Sequence, residues 1–289
     1  MKMKDTDAEA KQKNDKIEVV GESLIQHGKL SNRVYLMRIS EQDDPSKIFE
    51  FIHRLVEANG YTKIFTKIPS NLLPVLIEKN FSIEAVIPNF YYGKTDAFFM
   101  SAFYDKDRAH ADPEALKSFK EMLGSFNPNT VFKPDVEMPM KELQIQDATE
   151  IAKIYKKVFK SYPFPIHDPE YIKDTMKTHV RYFGIREDNR LTAVSSAEID
   201  DKYKNAEMTD FAVDPEFRGR KLACYLLYEM EKQLAKHGIK TAYTIARLHS
   251  PAMNITFLKN GYKYSGTLVK NTNISGKIES MNVYYKPLK

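Results

Sequence analysis

The stretch Asp214-Pro215-Glu216-Phe217-Arg218-Gly219-Arg220-Lys221 decides how this chain is read. The residues before it, 207–213 (EMTDFAV), combine β-branched and aromatic side chains that suit a strand. After it, Leu222, Leu226, Leu227, Met230 and Leu234 recur at the spacing of one helix face, and Gly238 supplies a stop. Pro215 and Gly219 punctuate the turn between them. A strand, a short loop and a helix N-terminus together make an anion site. The N–H groups of the first helical turn have no intrahelical acceptor, and the helix dipole favours negative charge there. Arg218, Arg220 and Lys221 add positive charge, so a phosphate or pyrophosphate is the expected anion. The string is neither a GxxxxGK[ST] loop nor a GxGxxG fingerprint.

With 289 residues the chain has room for one large or two small domains, and 42% hydrophobic residues suffice for a full core. The single cysteine, Cys224, excludes a disulfide framework and a cysteine-based zinc site. The histidines are scattered without HxxxH or HxH spacing, so no metal is expected. A net charge of +5, from 44 basic and 39 acidic residues, is too nearly balanced to indicate a nucleic-acid partner. No apolar run is long enough to span a membrane. Residues 1–16 are polar, mixed in charge and without an apolar stretch, which reads as a tail and not a secretory signal. A reducing cytoplasm is the expected setting.

Along the chain, residues 17–123 read as an N-terminal α/β unit. Strands are expected at 16–20, 33–39, 62–68, 81–87 and 97–104, and helices at 45–59, 71–78 and 112–123. Gly124, Pro128, Pro134 and Pro139 mark 124–139 as a linker without helical period. Residues 140–289 form a second unit. A strand at 142–145 precedes a helix capped by Asp147, with Glu150 as the capping-box partner. A proline-rich loop (161–169) and a short helix (170–178) follow. Residues 181–186 and 191–199 form a hairpin across Asp188-Asn189. Then come strand 207–213, the loop, the long helix, strand 240–246, helix 253–259, and strands 262–270 and 279–285. The class is α/β (α+β), in the order β-α-α-β-β-β-α-β-α-β-β. Residues 60–104 and 238–285 each run strand, helix, Lys-Asn, strand, loop, strand, which makes the N-terminal unit a candidate decayed half-copy of the second.

The run from Val213 to Ala223 resembles the acetyl-CoA pyrophosphate loop of the GCN5-related N-acetyltransferases (GNAT), V-x-P-x-x-R-G-x-G-x-[GA]. Arg218, Gly219 and Ala223 match. Lys221 stands where an inner glycine is usual; it is expected to keep right-handed helical geometry and to reach the phosphate. The element order of 140–288 is also that of the GNAT fold. The resemblance implies a mixed central sheet flanked by helices and acetyl-CoA as cosubstrate, with no metal. It places Arg218, Gly219, Arg220, Lys221, Leu222 and Ala223 around the pyrophosphate, Phe211, Ala212 and Val213 along the pantetheine and thioester, and Asn254 on the CoA arm. In one GNAT branch a glutamate lies six residues before the valine, which makes Glu207 a general-base candidate. Asp210, in mid-strand where aspartate is disfavoured, is a second base candidate or a holder of a substrate ammonium. GNAT enzymes often protonate the departing thiolate with a tyrosine four residues before a Gly-Tyr pair. Here the pair is Gly261-Tyr262 and the residue is Phe257, which has no hydroxyl.

The strings SYPFPIHDPEYI (161–172), TDFAVDPEFRG (209–219), IPNFYYGKTDAFFMS (87–101) and residues 252–286 are similar to the beta-lysine N6-acetyltransferase family, over nearly all of the chain after residue 16. That resemblance implies acetylation of the distal amine of beta-lysine, a small-molecule substrate with two ammonium groups and one carboxylate. Glu207, Asp210 and Asp168 could hold the ammonium groups, and Tyr92, Tyr162 and Phe164 could wall the alkyl chain. The product is a zwitterion without net charge, which suits a compatible solute in osmoadaptation. Another amine acceptor (lysine, a polyamine, a protein lysine) and an acyl-CoA sensor are the alternatives, the latter raised by Lys221 and Phe257. A monomer and a homodimer fit the sequence equally.

Overall fold

The computed structural model describes residues 15–135 and 138–289, so the expected tail lies almost wholly outside the described residues. Two sheets are built. The N-terminal one contains β1 (Lys16–Val20), β2 (Ser23–Gly28), β3 (Arg33–Arg38), β4 (Lys63–Pro69), β5 (Ser82–Tyr91) and β6 (Thr95–Phe103), in the order β1-β2-β3-β4-β6-β5. Helix α1 (Pro45–Asn59) crosses between the parallel strands β3 and β4, and α2 (Leu73–Glu78) links β4 to β5. Strand β2 is not signalled in the sequence, because two of its inward residues are polar. Gln26 and His27 are buried, and their side chains find only tertiary partners: Gln26 accepts from Arg33 while its Nε2 is left without a partner, and the His27 ring pairs with Tyr61 and Glu18.

The C-terminal sheet contains β7 (Met140–Glu142), β8 (Val180–Glu187), β9 (Arg190–Asp200), β10 (Asn205–Val213), β11 (Thr241–Arg247), β12 (Lys263–Ile274) and β13 (Lys277–Pro287), in the order β12-β13-β11-β10-β9-β8-β7. Helices α4 (Ala148–Val158) and α5 (Pro169–Met176) join β7 to β8. Helix α6 (Leu222–Lys236) crosses between the parallel strands β10 and β11, and α7 (Pro251–Lys259) precedes β12. The expected β8–β9 hairpin turns on Asp188 (φ 49°) and Asn189 (φ 63°), residue types that tolerate left-handed backbone. The capping box sits one turn earlier than expected, pairing Gln144 with Asp147; Glu150 instead accepts the Leu191 N–H at 2.9 Å.

Strands β1-β2-β3-β4-β6-β5 and β8-β9-β10-β11-β13-β12 share one topology, antiparallel throughout except for the parallel central pair. The likeness therefore extends beyond the stretch 60–104 to the whole six-stranded sheet. A third helix, α3 (Pro113–Ser125), closes the sequence-assigned N-terminal unit, but its apolar face packs into the C-terminal core. Phe119 is buried there, 5.0 Å from the Tyr264 ring. The described part of the expected linker follows the same surface, with Phe126, Phe132 and Met138 packed on that core.

On one face of the C-terminal sheet, Ala197, Met208 and Ala242 pack under α6. The other face is shared. Helices α4 and α5 cover its β8–β9 side through Ile151, Tyr155 and Ile172. The N-terminal sheet covers its β11–β13 side through a cluster in which Phe65, Phe90 and Phe99 meet Tyr243, Leu268 and Val283. Strands β5 and β12 approach so closely at Gly266 that a Cβ there would lie 2.0 Å from the Glu84 carbonyl oxygen. Between the two covers, the face of β9 and β10 is left for function. No helix among the described residues is long and apolar enough to cross a membrane.

Candidate active site

Strands β10 and β11 pair in register only from Asn205–Thr241 to Glu207–Tyr243, and then diverge. A bulge between Thr209 and Ala212 drives the divergence, with Asp210 at φ 56°. The gap opens into a cleft of about 640 Å³ whose mouth is the 214–221 loop and whose walls include Tyr162, Asp210, Phe211 and Phe257. Asp214 N–H donates to the Thr192 carbonyl on β9 at 2.9 Å. Because an antiparallel ladder alternates, Ala212 also faces β9, whereas the N–H groups of Phe211 and Val213 turn to the gap. Of the three residues expected to line the thioester, two present backbone donors.

The loop is held from below. Asp214 is buried, and its carboxylate receives Lys157 at 2.9 Å, Arg190 at 2.7 Å and the Glu216 N–H. These donors bring its pKa down to about 2. Arg220 is bound through both terminal nitrogens to Glu187, at 2.8 and 2.9 Å, so its guanidinium buttresses the loop instead of facing a phosphate. Arg218 and Lys221 are exposed and form no ion pair among the described residues. Lys221 is the residue before α6 and takes left-handed geometry (φ 58°, ψ 22°), not the right-handed geometry expected. The backbone shape that a glycine usually serves is thus kept by a lysine, at a steric cost of about 1–2 kcal/mol. No side chain caps α6, so the N–H groups of Leu222, Ala223 and the next residue remain available to an anion.

Asn254 is fully buried and fully engaged. Its amide donates to the Arg247 and Ser250 carbonyls, and its oxygen accepts from Asn282 and from the Tyr284 hydroxyl at 2.6 Å. Its capacity is filled by fastening α7 to β11 and β13, which leaves nothing for a CoA arm. Phe257 is also buried, edge-on to Phe211 at 5.5 Å.

The face of β9 and β10 carries a row of acids. Glu207 lies opposite Glu198 in the ladder, and Asp210 follows at the bulge. Asp210 accepts hydrogen bonds from the Tyr162 hydroxyl and from Ser196 at 2.6 Å, while burial pushes its pKa up. Glu207, also raised by burial, stands beside Tyr243 in the β10–β11 ladder, and the Tyr243 hydroxyl favours its charged form. That hydroxyl in turn accepts from Lys67 of β4 at 2.9 Å. Glu198 is pushed up to about 8, first by burial and then by Glu207 and Asp210. Sequence reasoning singled out Glu207 and Asp210 but missed Glu198, Tyr243 and Lys67. Glu198 had a faint signal, the alternation of Ser196, Glu198 and Asp200 along one strand face; Lys67 had none.

The remaining expected residues scatter. Phe164 is half-buried and packs on the α4–α5 core. Asp168 is exposed and caps α5 by accepting the Glu170 N–H at 3.0 Å, so its carboxylate serves the helix and not the site. Tyr92 stacks edge-on to Tyr203 at 5.2 Å and lines a separate cavity of about 400 Å³ at the junction of the two sheets. No group of three or more potential metal ligands occurs among the described residues.

Comparison with known proteins agrees with this geometry. Residues 148–262 match the acetyltransferase (GNAT) family. The chain is 40% identical to the beta-lysine N(6)-acetyltransferase of Methanococcus maripaludis, over 94% of this chain and 98% of that protein. It is 32% identical to the N-acetyltransferase YodP of Bacillus subtilis, over 74% of this chain and 78% of that protein. A 35% identity to the beta-lysine N(6)-acetyltransferase of Methanosarcina mazei covers 49% of this chain and 52% of that one. A phosphate-ready loop, a splayed β10–β11 pair and near-full-length identity to the methanococcal enzyme place this chain in the beta-lysine N6-acetyltransferase family of GNAT enzymes, which move an acetyl group from acetyl-CoA to an amine.

Proposed function

We propose that this protein acetylates the distal amine of beta-lysine, giving N6-acetyl-beta-lysine as a compatible solute. The carrying observation is the acid row Glu198–Glu207–Asp210, which begins at the acyl cleft and runs away from it along one sheet face. Several carboxylates in a partly dehydrated site favour a ligand that brings more than one ammonium group. From Asp210 back to Glu207 the strand rises about 10 Å, a span that the four-carbon link between the two ammonium groups of beta-lysine covers together with the carboxylate side chains that meet them at either end. The reacting amine sits at the Asp210 end and the second ammonium between Glu207 and Glu198.

Bound acetyl-CoA supplies the acetyl thioester. Arg218, Lys221 and the first turn of α6 hold its pyrophosphate, and the N–H groups of Phe211 and Val213 face the thioester, where one can receive the developing oxyanion. Asp210 is the base: the distal ammonium first gives one proton to solvent and becomes the free amine, and Asp210 takes the second proton from nitrogen as the N–C bond forms and the C–S bond breaks. Glu207 is assigned to substrate binding because it stands in the ladder beside Tyr243, which Lys67 holds by a hydrogen bond. With Phe257 lacking a hydroxyl, Tyr162 is the phenol on the cleft wall that can protonate the leaving thiolate, and Asp210 restores its proton.

The N-terminal sheet is read as a second, decayed GNAT unit, a reading supported by its six-strand order. Its β3–α1 connection, Ser40-Glu41-Gln42-Asp43-Asp44, is acidic and has no arginine or lysine, so it is not a second pyrophosphate loop. We divide the chain at 124–139 as the sequence does, with α3 reassigned by packing to the C-terminal unit.

The test is incubation of the purified protein with acetyl-CoA and, separately, beta-lysine, alpha-lysine and spermidine, following free thiol and product mass. Thiol release with a singly acetylated beta-lysine, modified at the distal nitrogen, is expected. CoA binding without turnover on any amine would replace this reading with that of an acyl-CoA sensor.

A further inference from the structure

Lys67 belongs to the N-terminal sheet, yet its ammonium reaches the active-site face of the C-terminal one. It donates to the Tyr243 hydroxyl at 2.9 Å and lies 5.0 Å from the ring centres of both Phe90 and Tyr243. One of its three N–H bonds is used there. No carboxylate of the described residues lies within ion-pair distance of it. This contrasts with Lys63, four residues earlier, which pairs with Glu84 at 2.9 Å. Dehydration pulls the Lys67 ammonium below its ordinary pKa, against the opposing pull of Glu207, Asp200 and Glu198. A cation held among aromatic rings, with hydrogen bonds to spare, is a place prepared for an anion. It also borders open space, the 400 Å³ cavity formed with Tyr91, Tyr92, Asp200 and Tyr203.

We infer that Lys67 receives the carboxylate of the acceptor, so that the N-terminal domain is the element selecting a diamino acid over a diamine. This rests on the acceptor orientation proposed above, with the distal amine at Asp210. Lys67 meets the acid row at Glu207 by way of Tyr243, the ladder neighbour of that glutamate, and this is the end where the carboxylate of such an acceptor must lie. The acids alone would bind any di- or polyamine. Lys67 repels a second cation that is not accompanied by a carboxylate and binds one that is, so the discrimination has a repulsive and an attractive part.

The experiment compares kcat/KM for beta-lysine and for 1,4-diaminopentane, which is beta-lysine without its carboxymethyl carboxylate, in the wild type, Lys67→Met and Lys67→Arg. Alpha-lysine and 1,5-diaminopentane make a second pair of the same kind. The wild type should prefer the carboxylate-bearing member of the pair it accepts. Lys67→Met should lose about 10²-fold on that member, mostly through KM, with little loss on the diamine, and Lys67→Arg should keep part of the preference. Unchanged acetyl-CoA binding by both variants shows that the fold is intact. A wild type that acetylates alpha-lysine but not beta-lysine would refute the proposed function and leave this inference to be judged on the second pair. Equal losses on both members of a pair, no loss on the amino acid, or a wild type indifferent to the carboxylate would overturn it.

Discussion

The Lys63 ammonium and the Glu84 carboxylate lie 2.9 Å apart with almost no solvent exposure, and both also grip Val269 of β12. Lys63 donates to the Val269 carbonyl at 2.7 Å, and Glu84 accepts its N–H at 2.6 Å. The pair thus pins the N-terminal sheet to the C-terminal one, and the position of Lys67 on the same strand depends on that pin. Replacing only Glu84 by Gln leaves a buried ammonium without its counter-charge, which should cost about 3–5 kcal/mol. Urea unfolding would show this as a lowered midpoint. The double replacement Lys63→Met/Glu84→Leu should be milder than Glu84→Gln alone; a more severe double variant would mean that the charge pair itself stabilises the junction.

Asp214 makes the loop prediction. Its carboxylate joins Lys157, Arg190 and the Glu216 N–H beneath the phosphate-facing residues. Asp214→Asn should loosen the loop and raise KM for acetyl-CoA about tenfold, with a smaller change in kcat, as measured by steady-state kinetics at saturating amine. Its folded pKa is depressed, so its contribution to stability is present above the ordinary aspartate value and lost only as pH falls through about 2. CoA affinity near neutral pH should carry no titration from this group. An acid limb in CoA binding that vanishes in Asp214→Asn would contradict the assignment.

Asp210→Asn keeps the shape of the bulge but removes the proton acceptor. A fall in kcat of about 10²–10⁴-fold is expected, with acetyl-CoA binding retained in equilibrium titration. Glu207→Gln should instead act chiefly on KM for the amine. If the two variants exchange these signatures, Glu207 is the base and Asp210 the ammonium holder. Tyr162→Phe should lower kcat less than Asp210→Asn, since it removes one donor to the carboxylate and the proposed thiolate acid while leaving the base.

What could be read from sequence was what neighbours in the chain determine. The 214–221 loop, its flanking strand and helix, and the Asp188-Asn189 turn are local, and their residue types carry the geometry. Lys221 was legible as a departure but not in its left-handed backbone, since only the neighbouring turn imposes that sign. Strand β2 and the docking of α3 depend on partners far along the chain. So do the roles of Glu198 and Lys67, the first set by cross-strand register and the second by packing between sheets. Asn254 was singled out for its residue type, yet its surroundings use every hydrogen bond it can make.

Glu198 yields the most direct reading of acceptor charge. Its pKa is raised to about 8, so near neutral pH the Glu198–Glu207 pair of the free enzyme holds a proton that the unfolded chain, with an ordinary value of 4.5, does not. The associated stabilisation is present below the unfolded value and is lost as pH rises through about 8. An ammonium placed between Glu198 and Glu207 reverses the balance by favouring the ionised carboxylate, so binding of the acceptor should expel the proton. Calorimetry at pH 7 in buffers of different ionisation enthalpy should therefore show up to one proton released per acceptor bound, declining above pH 8. Glu198→Gln should abolish most of that release while retaining measurable turnover, because Asp210 remains in place as base. Release that is unchanged in Glu198→Gln would place the proton on Glu207 or Asp210 and require the second ammonium to be bound there instead.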